Sequence, residues 1–362
     1  MERVRVVHLT PSFGCGGLER VIANLIHHNQ DPHVEHIVIS LSSDTSFSSQ
    51  LPPGTTCVSI HKKEGLDLLA HFRLAKLLRR LKATALHTYN FATLEYHAIA
   101  SFCGVKKHIH ADHGLGGDDP HGQNKAHNVF RRFISRFIDH YVVVSKDLLQ
   151  WVVQTIGIPE RKVSLITNGV PLPEPSPLPE KPAGELSLVI VGRLAPVKNH
   201  ARLLDAIAHN QREHPEQRIW CDIVGDGELM QALQDKAQTL PHPEMVRFHG
   251  LQDNVLHFLE RSDALILSSD YEAMPMTVLE AMAANRAVIC PLVGGVAGFL
   301  SDEDVCLVPG HDTQALAKAI FSLSSVPSSS YAEKVTRARA RVASTYGVGI
   351  MVDKYNALYR HA

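Results

Sequence analysis

Residues 268–288 read SSDYEAMPMTVLEAMAANRAV, and this stretch decides the class of fold. The apolar run Ala264–Leu267 before it has the character of a buried strand. A loop carrying Glu272 and Pro275 follows, and then a helical segment in which Glu280 stands eight residues beyond Glu272. Strand, loop and helix in that order put a helix N-terminus and two carboxylates at the carboxyl end of a parallel strand, the edge where open α/β sheets bind ligands. The unpaired amides and positive dipole of a helix start attract phosphate. Carboxylates repel phosphate but accept hydrogen bonds from hydroxyls, so the combination suits a sugar nucleotide.

On either side of this stretch, strand-like runs alternate with amphipathic helical ones, as a parallel α/β construction requires. The first half reads as strands near Val4–Leu9, Val34–Leu41, Ala85–Thr88, His108–Ala111, Tyr141–Val144 and Val163–Ile166. The second reads as Leu188–Val191, Ile219–Val224, Val246–Phe248, Ala264–Leu267 and Ala287–Cys290. Between them VPLPEPSPLPEKPAG (170–184) holds six prolines and reads as a stiff, extended linker. The expected organisation is an α/β fold of two Rossmann-like domains, 1–169 and 185–345, facing across a cleft. A C-terminal helix over 346–362, with Met351, Tyr355, Leu358 and Tyr359 at mostly helical spacing, is expected to pack back on the first domain.

At 362 residues, 44% apolar and 20% charged, the chain has the composition of a globular two-domain protein. No apolar run reaches the ~18 residues that span a bilayer and no signal peptide is visible, so a cytoplasmic location is expected. The six cysteines (15, 57, 103, 221, 290 and 306) form no C-x-x-C pair, which fits reduced thiols and argues against structural zinc. The 23 histidines are scattered, without a metal-binding spacing. Lys and Arg outnumber Asp and Glu by 19 to 15 over residues 1–175, whereas the remainder carries 17 against 22. That balance weakly favours an anionic partner or membrane surface for the first half.

Four constellations carry chemistry. Phe13-Gly14-Cys15-Gly16-Gly17 directly follows the first strand, where glycines let backbone amides approach a phosphate, or simply make a tight turn. The second strand ends in serines, with Asp44 only beyond it, which disfavours a nicotinamide cofactor. In Gly192–Asn199, Arg193 and Lys198 are five residues apart and can grip a diphosphate, or be solvated loop charges. Thr277-x-x-Glu280 reads as a capping box, so Glu280 has a structural alternative, whereas Glu272 in its loop has none. His113 sits among Gly114, Gly116 and Gly117 at a strand end, with His108, His110 and His121 as competitors.

As a set, GGLER (16–20), VSKDL (144–148), ITNGV (166–170), GRLAPVKN (192–199), VGDGEL (224–229), FHGLQDN (248–254), YEAMPMTVLEAMA (271–283) and VGGV (293–296) resemble glycosyltransferase family 4, the GT-B fold. The likeness covers nearly the whole chain and is strongest to bacterial enzymes of surface polysaccharide and O-antigen synthesis. It implies transfer from a nucleotide sugar, most often a UDP-sugar, with retention of configuration and no metal or other cofactor. By the same resemblance, Arg193 and Lys198 would hold the diphosphate, helped by the amides of Met276, Thr277 and Val278, with Gly16 and Gly17 closing from the other domain. Glu280 matches the ribose-binding glutamate, the backbone near Leu251 would meet the base, and Ala273, Met274, Pro275 and Met276 would line the sugar pocket. Glu272 and His113 match the glutamate and histidine beside the reacting sugar. Three positions depart from the family pattern: Ala273 for glycine, Gly298 for glutamate, and Asp112 before His113 where glutamate is common. The resemblance also implies front-face attack, with the leaving phosphate accepting the proton.

Other readings stay open: an epimerase or hydrolase of the same fold, or a binding subunit without turnover. Nucleic acid is disfavoured by a pI near 7.1 and the lack of an aromatic-basic stripe. The stretches HFRLAKLLRRLK (71–82) and NVFRRFISRFIDH (128–140) read as amphipathic helices, either resting on anionic lipid beside a lipid-linked acceptor or lying at the surface with solvated arginines.

Overall fold

The computed structural model describes residues 3–65, 67–115, 119, 122–174, 177 and 185–360. Gly116, Gly117 and His121 of the expected glycine loop lie outside the described residues, as do positions 175–176 and 178–184 of the proline-rich segment. The chain forms two compact units, Met1–Gly169 with Val348–Ala362, and Val170–Gly347.

The first unit contains β1 (Val4–Thr10), β2 (Val34–Ser40), β3 (Thr56–Ser59), β4 (Ala85–Tyr89), β5 (Lys107–Asp112), β6 (His140–Val143) and β7 (Val163–Leu165). The second contains β8 (Glu185–Val191), β9 (Arg218–Val224), β10 (Val246–Phe248), β11 (Ala264–Ile266), β12 (Ala287–Leu292) and β13 (Cys306–Pro309). Among the described residues the sheets run β3-β2-β1-β4-β5-β6-β7 and β10-β9-β8-β11-β12-β13. Every strand pairing is parallel. Each order reverses once, between β1 and β4 and between β8 and β11, so each unit has one topological switch point.

The central strands are buried on both faces, which is why they read as near-continuous apolar runs. Val6, Val7 and Leu9 of β1 and Leu188, Val189 and Ile190 of β8 are fully or almost fully buried. The two strands that the sequence pattern does not reveal, β3 (TCVS) and β13 (CLVP), are both sheet edges. They are short and only partly buried, and β13 ends in a proline, as an edge permits.

The helix Leu68–Leu81 begins at Asp67, whose side chain accepts from the Ala70 amide, and ends at Lys82 with φ +50°. It buries Ala70, Leu74 and Leu78 on one stripe. Residues 128–140 are not one helix, and of their three arginines Arg132 and Arg136 are exposed while Arg131 is not. The helix Lys125–Ile134 gives way to a short 3-10 turn and then β6. Arg131 is buried, its guanidinium 4.5 Å from the Phe91 ring centre and 4.9 Å from that of Trp151. The cause is a buried carboxylate, Asp112, whose Oδ2 lies 3.8 Å from Arg131 Nε and must be compensated. No helix among the described residues is long and apolar enough to cross a membrane.

The last helix, Val348–Arg360, belongs to the first unit and packs against the helix Gly17–His28 and β1. Met351, Tyr355 and Tyr359 are buried, and Leu358 is half-buried. Its polar contacts end on a histidine-rich core. His36 Nδ1 lies 2.8 Å from His8 Nε2, and His8 Nδ1 2.7 Å from the Tyr89 hydroxyl. His87 Nδ1 lies 3.0 Å from that hydroxyl and 2.9 Å from the hydroxyl of Tyr359. Burial, reinforced by neighbouring histidines, pushes His8 and His87 well below the ordinary imidazole range. Burial also brings His36 down to about 4, against the opposing charge of Asp31.

These depressed values set the pH dependence of this unit. Below the unfolded imidazole pKa of about 6.5, the unfolded chain binds protons that the folded unit refuses. Stability therefore declines as pH falls from about 6.5 toward the folded value, by up to about 1.4 kcal/mol per pH unit for each ring. Thermal unfolding should show the midpoint dropping between pH 7 and pH 5, with a shallower drop for His36→Gln. A midpoint independent of pH over that range would contradict the neutral-histidine core.

Candidate functional site

In the second unit, three loops at the carboxyl ends of strands are laced together at the switch point. The loop after β8 carries Arg193 and Lys198, and the loop after β9 carries Gly225 and Gly227 against it. Leu194 donates its amide to the Asp226 carbonyl at 2.9 Å, and Leu229 returns one to the Leu194 carbonyl at 3.1 Å. Gly225 has φ +141°, and a Cβ there would stand 2.0 Å from the Gly192 carbonyl oxygen, so only glycine allows this approach.

The loop after β11 is held to the same segment by both backbone and charge. Asp270 donates its amide to the Val197 carbonyl at 2.8 Å, and Ser268 Oγ donates to the Lys198 carbonyl at 3.1 Å. The Asp270 carboxylate takes Arg202 Nη2 at 2.6 Å and lies 3.0 Å from His311 Nδ1. Burial tends to raise its carboxyl, but the Arg202, Asn199 and His311 contacts outweigh that and lower it.

Within this frame Lys198 Nζ donates to Glu272 Oε1 at 2.6 Å, and Ser269 Oγ donates to the same oxygen at 2.6 Å. Glu272 is 6% exposed. It therefore has the structural partner that its loop position in the sequence does not reveal. Gly294, at φ +51°, lets the VGGV turn lie against the loop, and the Gly295 amide donates to the Glu272 carbonyl at 2.8 Å.

The helix Met276–Ala283 starts four residues after Glu272. Pro275 is its N-cap and makes no side-chain cap hydrogen bond. The capping box expected of Thr277 and Glu280 is thus not formed, because Thr277 already lies inside the helix. Glu280 is half-buried, while Ala273, Met274, Pro275, Met276 and Val278 are buried and Thr277 partly so. Arg193 is exposed and makes no side-chain hydrogen bond or ion pair among the described residues. Leu251 is also exposed, one residue after Gly250, whose carbonyl accepts from the Gly225 amide at 2.8 Å.

In the first unit, Gly16 is the extended N-cap of the helix Gly17–His28, again without a side-chain cap. Phe13 donates its amide to the Asp44 carbonyl at 3.0 Å, which brings the Asp44 carboxylate beside Gly14. His113 follows β5. Its amide donates to Asn90 Oδ1 at 2.8 Å, and its ring is buried beside the Asn168 side chain. Burial brings its imidazole down to about 4, against the nearby charge of Asp112.

Asp112 itself is fully buried and accepts from the Tyr141 hydroxyl at 2.5 Å. Burial would raise its carboxyl, but His110, Arg131 and Tyr141 together outweigh that and bring it to about 2. His108 and His110, the competitors of His113, are core residues. Asn90 and Ser269 are site contacts that sequence reasoning missed. Ser269 lies in the stretch 268–288 but carries no charge to single it out, and Asn90 is marked only by its φ of +57°. No group of three or more His, Cys, Asp or Glu is placed to hold a metal ion among the described residues.

Residues 15–173 match the family model Glycosyltransferase Family 4, and residues 177–341 match Glycosyl transferases group 1. The chain belongs to the family 4 glycosyltransferases. It is 24% identical over 308 residues to the UDP-Gal:alpha-D-GlcNAc-diphosphoundecaprenol alpha-1,3-galactosyltransferase of Escherichia coli, covering 81% of this chain and 79% of that protein. It is 31% identical over 227 residues to an exopolysaccharide phosphotransferase of Streptomyces coelicolor, covering 61% of this chain but only 23% of that longer protein. Among solved structures, Anabaena HepE with UDP-glucose aligns with a TM-score of 0.83 at 19% identity, over 98% of this chain and 99% of that one. Sucrose-phosphate synthase of Thermosynechococcus elongatus aligns with a TM-score of 0.78 at 18% identity, over 98% of both. These likenesses give the family its GT-B fold here, two parallel-sheet α/β units.

In this family 4 chain the lacing predicts specific losses. Gly294→Ala would put a Cβ 2.3 Å from the Glu272 carbonyl oxygen at a left-handed φ, and should cost roughly 1–3 kcal/mol in denaturant unfolding. Lys198→Ala leaves a buried carboxylate with Ser269 alone and should cost on the order of 3 kcal/mol, part of which Lys198→Ala/Glu272→Gln recovers. Equal midpoints for the single and double variants would mean that the pair is not coupled.

Proposed function

We propose that the chain is a retaining glycosyltransferase that moves a sugar from a nucleotide-sugar donor, a UDP-sugar, to a glycan or lipid-linked acceptor in cell-surface polysaccharide synthesis. The observation that carries this reading is the Lys198–Glu272 pair at the switch point, immediately before the start of the helix Met276–Ala283. Phosphate and hydroxyl recognition then lie within a few residues of each other. The donor named for the Escherichia coli relative and the UDP-glucose in the Anabaena structure support the choice of uridine.

In this reading the exposed guanidinium of Arg193 forks onto the diphosphate, and the Lys198 ammonium turns part of its donor capacity from Glu272 to a phosphate oxygen. The amides of Met276, Thr277 and Val278 add the dipole of the helix start. Both contacts to Glu272 fall on Oε1, so Oε2 keeps its lone pairs for a sugar hydroxyl. Glu280 takes the ribose and the backbone near Leu251 the base. His113, neutral at pH 7, faces the reacting sugar from the first unit, where Gly16 and Gly17 supply further amides.

The bond from the anomeric carbon to the β-phosphate oxygen breaks, and the acceptor hydroxyl attacks from the same face. Its proton passes to that phosphate oxygen, and a nucleoside diphosphate leaves. The cationic groups neutralise the developing charge, so a metal is not required.

The test is a thermal shift of the purified chain with UDP-, GDP- and ADP-sugars, with and without EDTA. A UDP-sugar should raise the midpoint in either condition, and Arg193→Ala should reduce the shift by about tenfold in affinity without lowering the ligand-free midpoint. Incubation with donor and acceptor should then give a product of unchanged anomeric configuration by NMR. Binding without turnover in the presence of the acceptor would instead favour a binding subunit, and an inverted product would overturn the mechanism.

A further inference from the structure

The backbone at His113 is fixed before its side chain is considered. Asp112, the residue before it, is the last of β5, and Asn90 accepts the His113 amide at 2.8 Å. Asn90 is itself tied to β5, because its own amide donates to the Ala111 carbonyl at 2.9 Å. The segment that leaves the sheet at His113 ends against the helix Lys125–Ile134, at Gly122. The Gly122 carbonyl accepts from Trp151 Nε1 at 3.1 Å and from Asn128 Nδ2 at 2.9 Å. Gly122 has φ +63°, and a Cβ there would run into the Trp151 indole, so this position is fitted to that ring.

These contacts meet at Arg131. Its side chain is buried, and its Nε lies 3.8 Å from Asp112 Oδ2, the oxygen that also accepts from the Tyr141 hydroxyl at 2.5 Å. Its guanidinium is 4.5 Å from the ring centre of Phe91, the neighbour of Asn90, and 4.9 Å from that of Trp151. One side chain therefore touches the residue before His113, the residue next to the one that holds the His113 amide, and the ring that holds Gly122.

The chemistry of arginine suits that place. A guanidinium has flat faces for two rings and N–H groups for a carboxylate, whereas a lysine ammonium has the charge without the plane. Stability alone does not account for the pair. Apolar side chains of similar volume fill such a space at no greater cost than a desolvated arginine and aspartate.

We propose that Arg131 is a positioning residue for His113, fixing Asp112 directly and Asn90 through Phe91 so that the chain leaves β5 in one direction. The assignment rests on the glycosyltransferase reading, in which His113 faces the reacting sugar. It deepens that reading by naming a residue that acts on the reaction without touching the substrate.

The test is amide hydrogen exchange on the full chain, with UDP release from UDP-glucose in water and the UDP-glucose thermal shift measured on the same preparations. Arg131→Lys should speed exchange of the His113 amide roughly tenfold, while Val7 and Leu86 in the sheet keep their protection. Asn90→Gly, which keeps the left-handed φ and removes the acceptor, should do the same. The double variant should add little to either, because both changes act through one placement. In each variant kcat for UDP release should fall about tenfold with KM unchanged. Phe91→Leu keeps the Arg131–Asp112 pair and removes one ring; it should loosen His113 to a lesser degree, and it serves if Arg131→Lys does not fold.

Unchanged His113 exchange in Arg131→Lys, or effects that multiply in the double variant, would overturn the positioning role. So would faster exchange with full kcat, or a uniform rise that includes Val7 and Leu86. An unsubstituted chain with neither a UDP-glucose shift nor UDP release would count against the glycosyltransferase reading, while exchange still decides the placement of His113.

Discussion

A buried carboxylate must be compensated, and Glu272 is the one around which the second unit's ligand edge is arranged. Its compensation comes from Lys198, 74 residues away in sequence. The two loops can meet only because β8 and β11 are adjacent in the sheet. The close approach of Gly225 to Gly192 then fixes the Lys198 loop from behind, and Gly294 does the same for the Glu272 loop. Asp270, with Arg202, Asn199 and His311, locks the seam between them. A cation held by a carboxylate is pre-positioned and desolvated in part, which in the proposed reading leaves its donors aimed for an arriving phosphate. Arg193 is the complement: it is exposed and makes no side-chain hydrogen bond or ion pair among the described residues.

The first unit solves a different problem. It buries many histidines, each with two ring nitrogens to satisfy, and does so by passing hydrogen bonds from ring to hydroxyl to ring through His36, His8, Tyr89, His87 and Tyr359. The last partner comes from the C-terminal helix, so the chain's return to this unit completes a polar core that 1–169 alone would leave short of acceptors. His113 stands outside that arrangement. Its ring is buried beside Asn168, whereas His108 contacts the Val105 carbonyl and His97, and His110 contacts Thr88.

Asn90 connects the two themes of the first unit. Held at a left-handed φ between β4 and the turn that follows, it supports His113 through its side chain and delivers Phe91 to the Arg131 guanidinium. A strained residue at a switch point is where a fold is expected to spend stability on positioning.

The sequence by itself determined the α/β class, most of the strands and the family, because parallel strands buried on both faces write themselves as apolar runs and the motifs are local. It also singled out Lys198, Glu272 and His113 by residue type and place. Only the tertiary structure decided that Lys198 and Glu272 are partners, that Thr277 caps nothing, and that Arg131 is buried against Asp112 rather than solvated. It also decided that the edge strands β3 and β13 exist. These facts depend on which distant segments a sheet order brings together, and a burial or a charge pair across 74 residues leaves no periodicity in the chain that makes it.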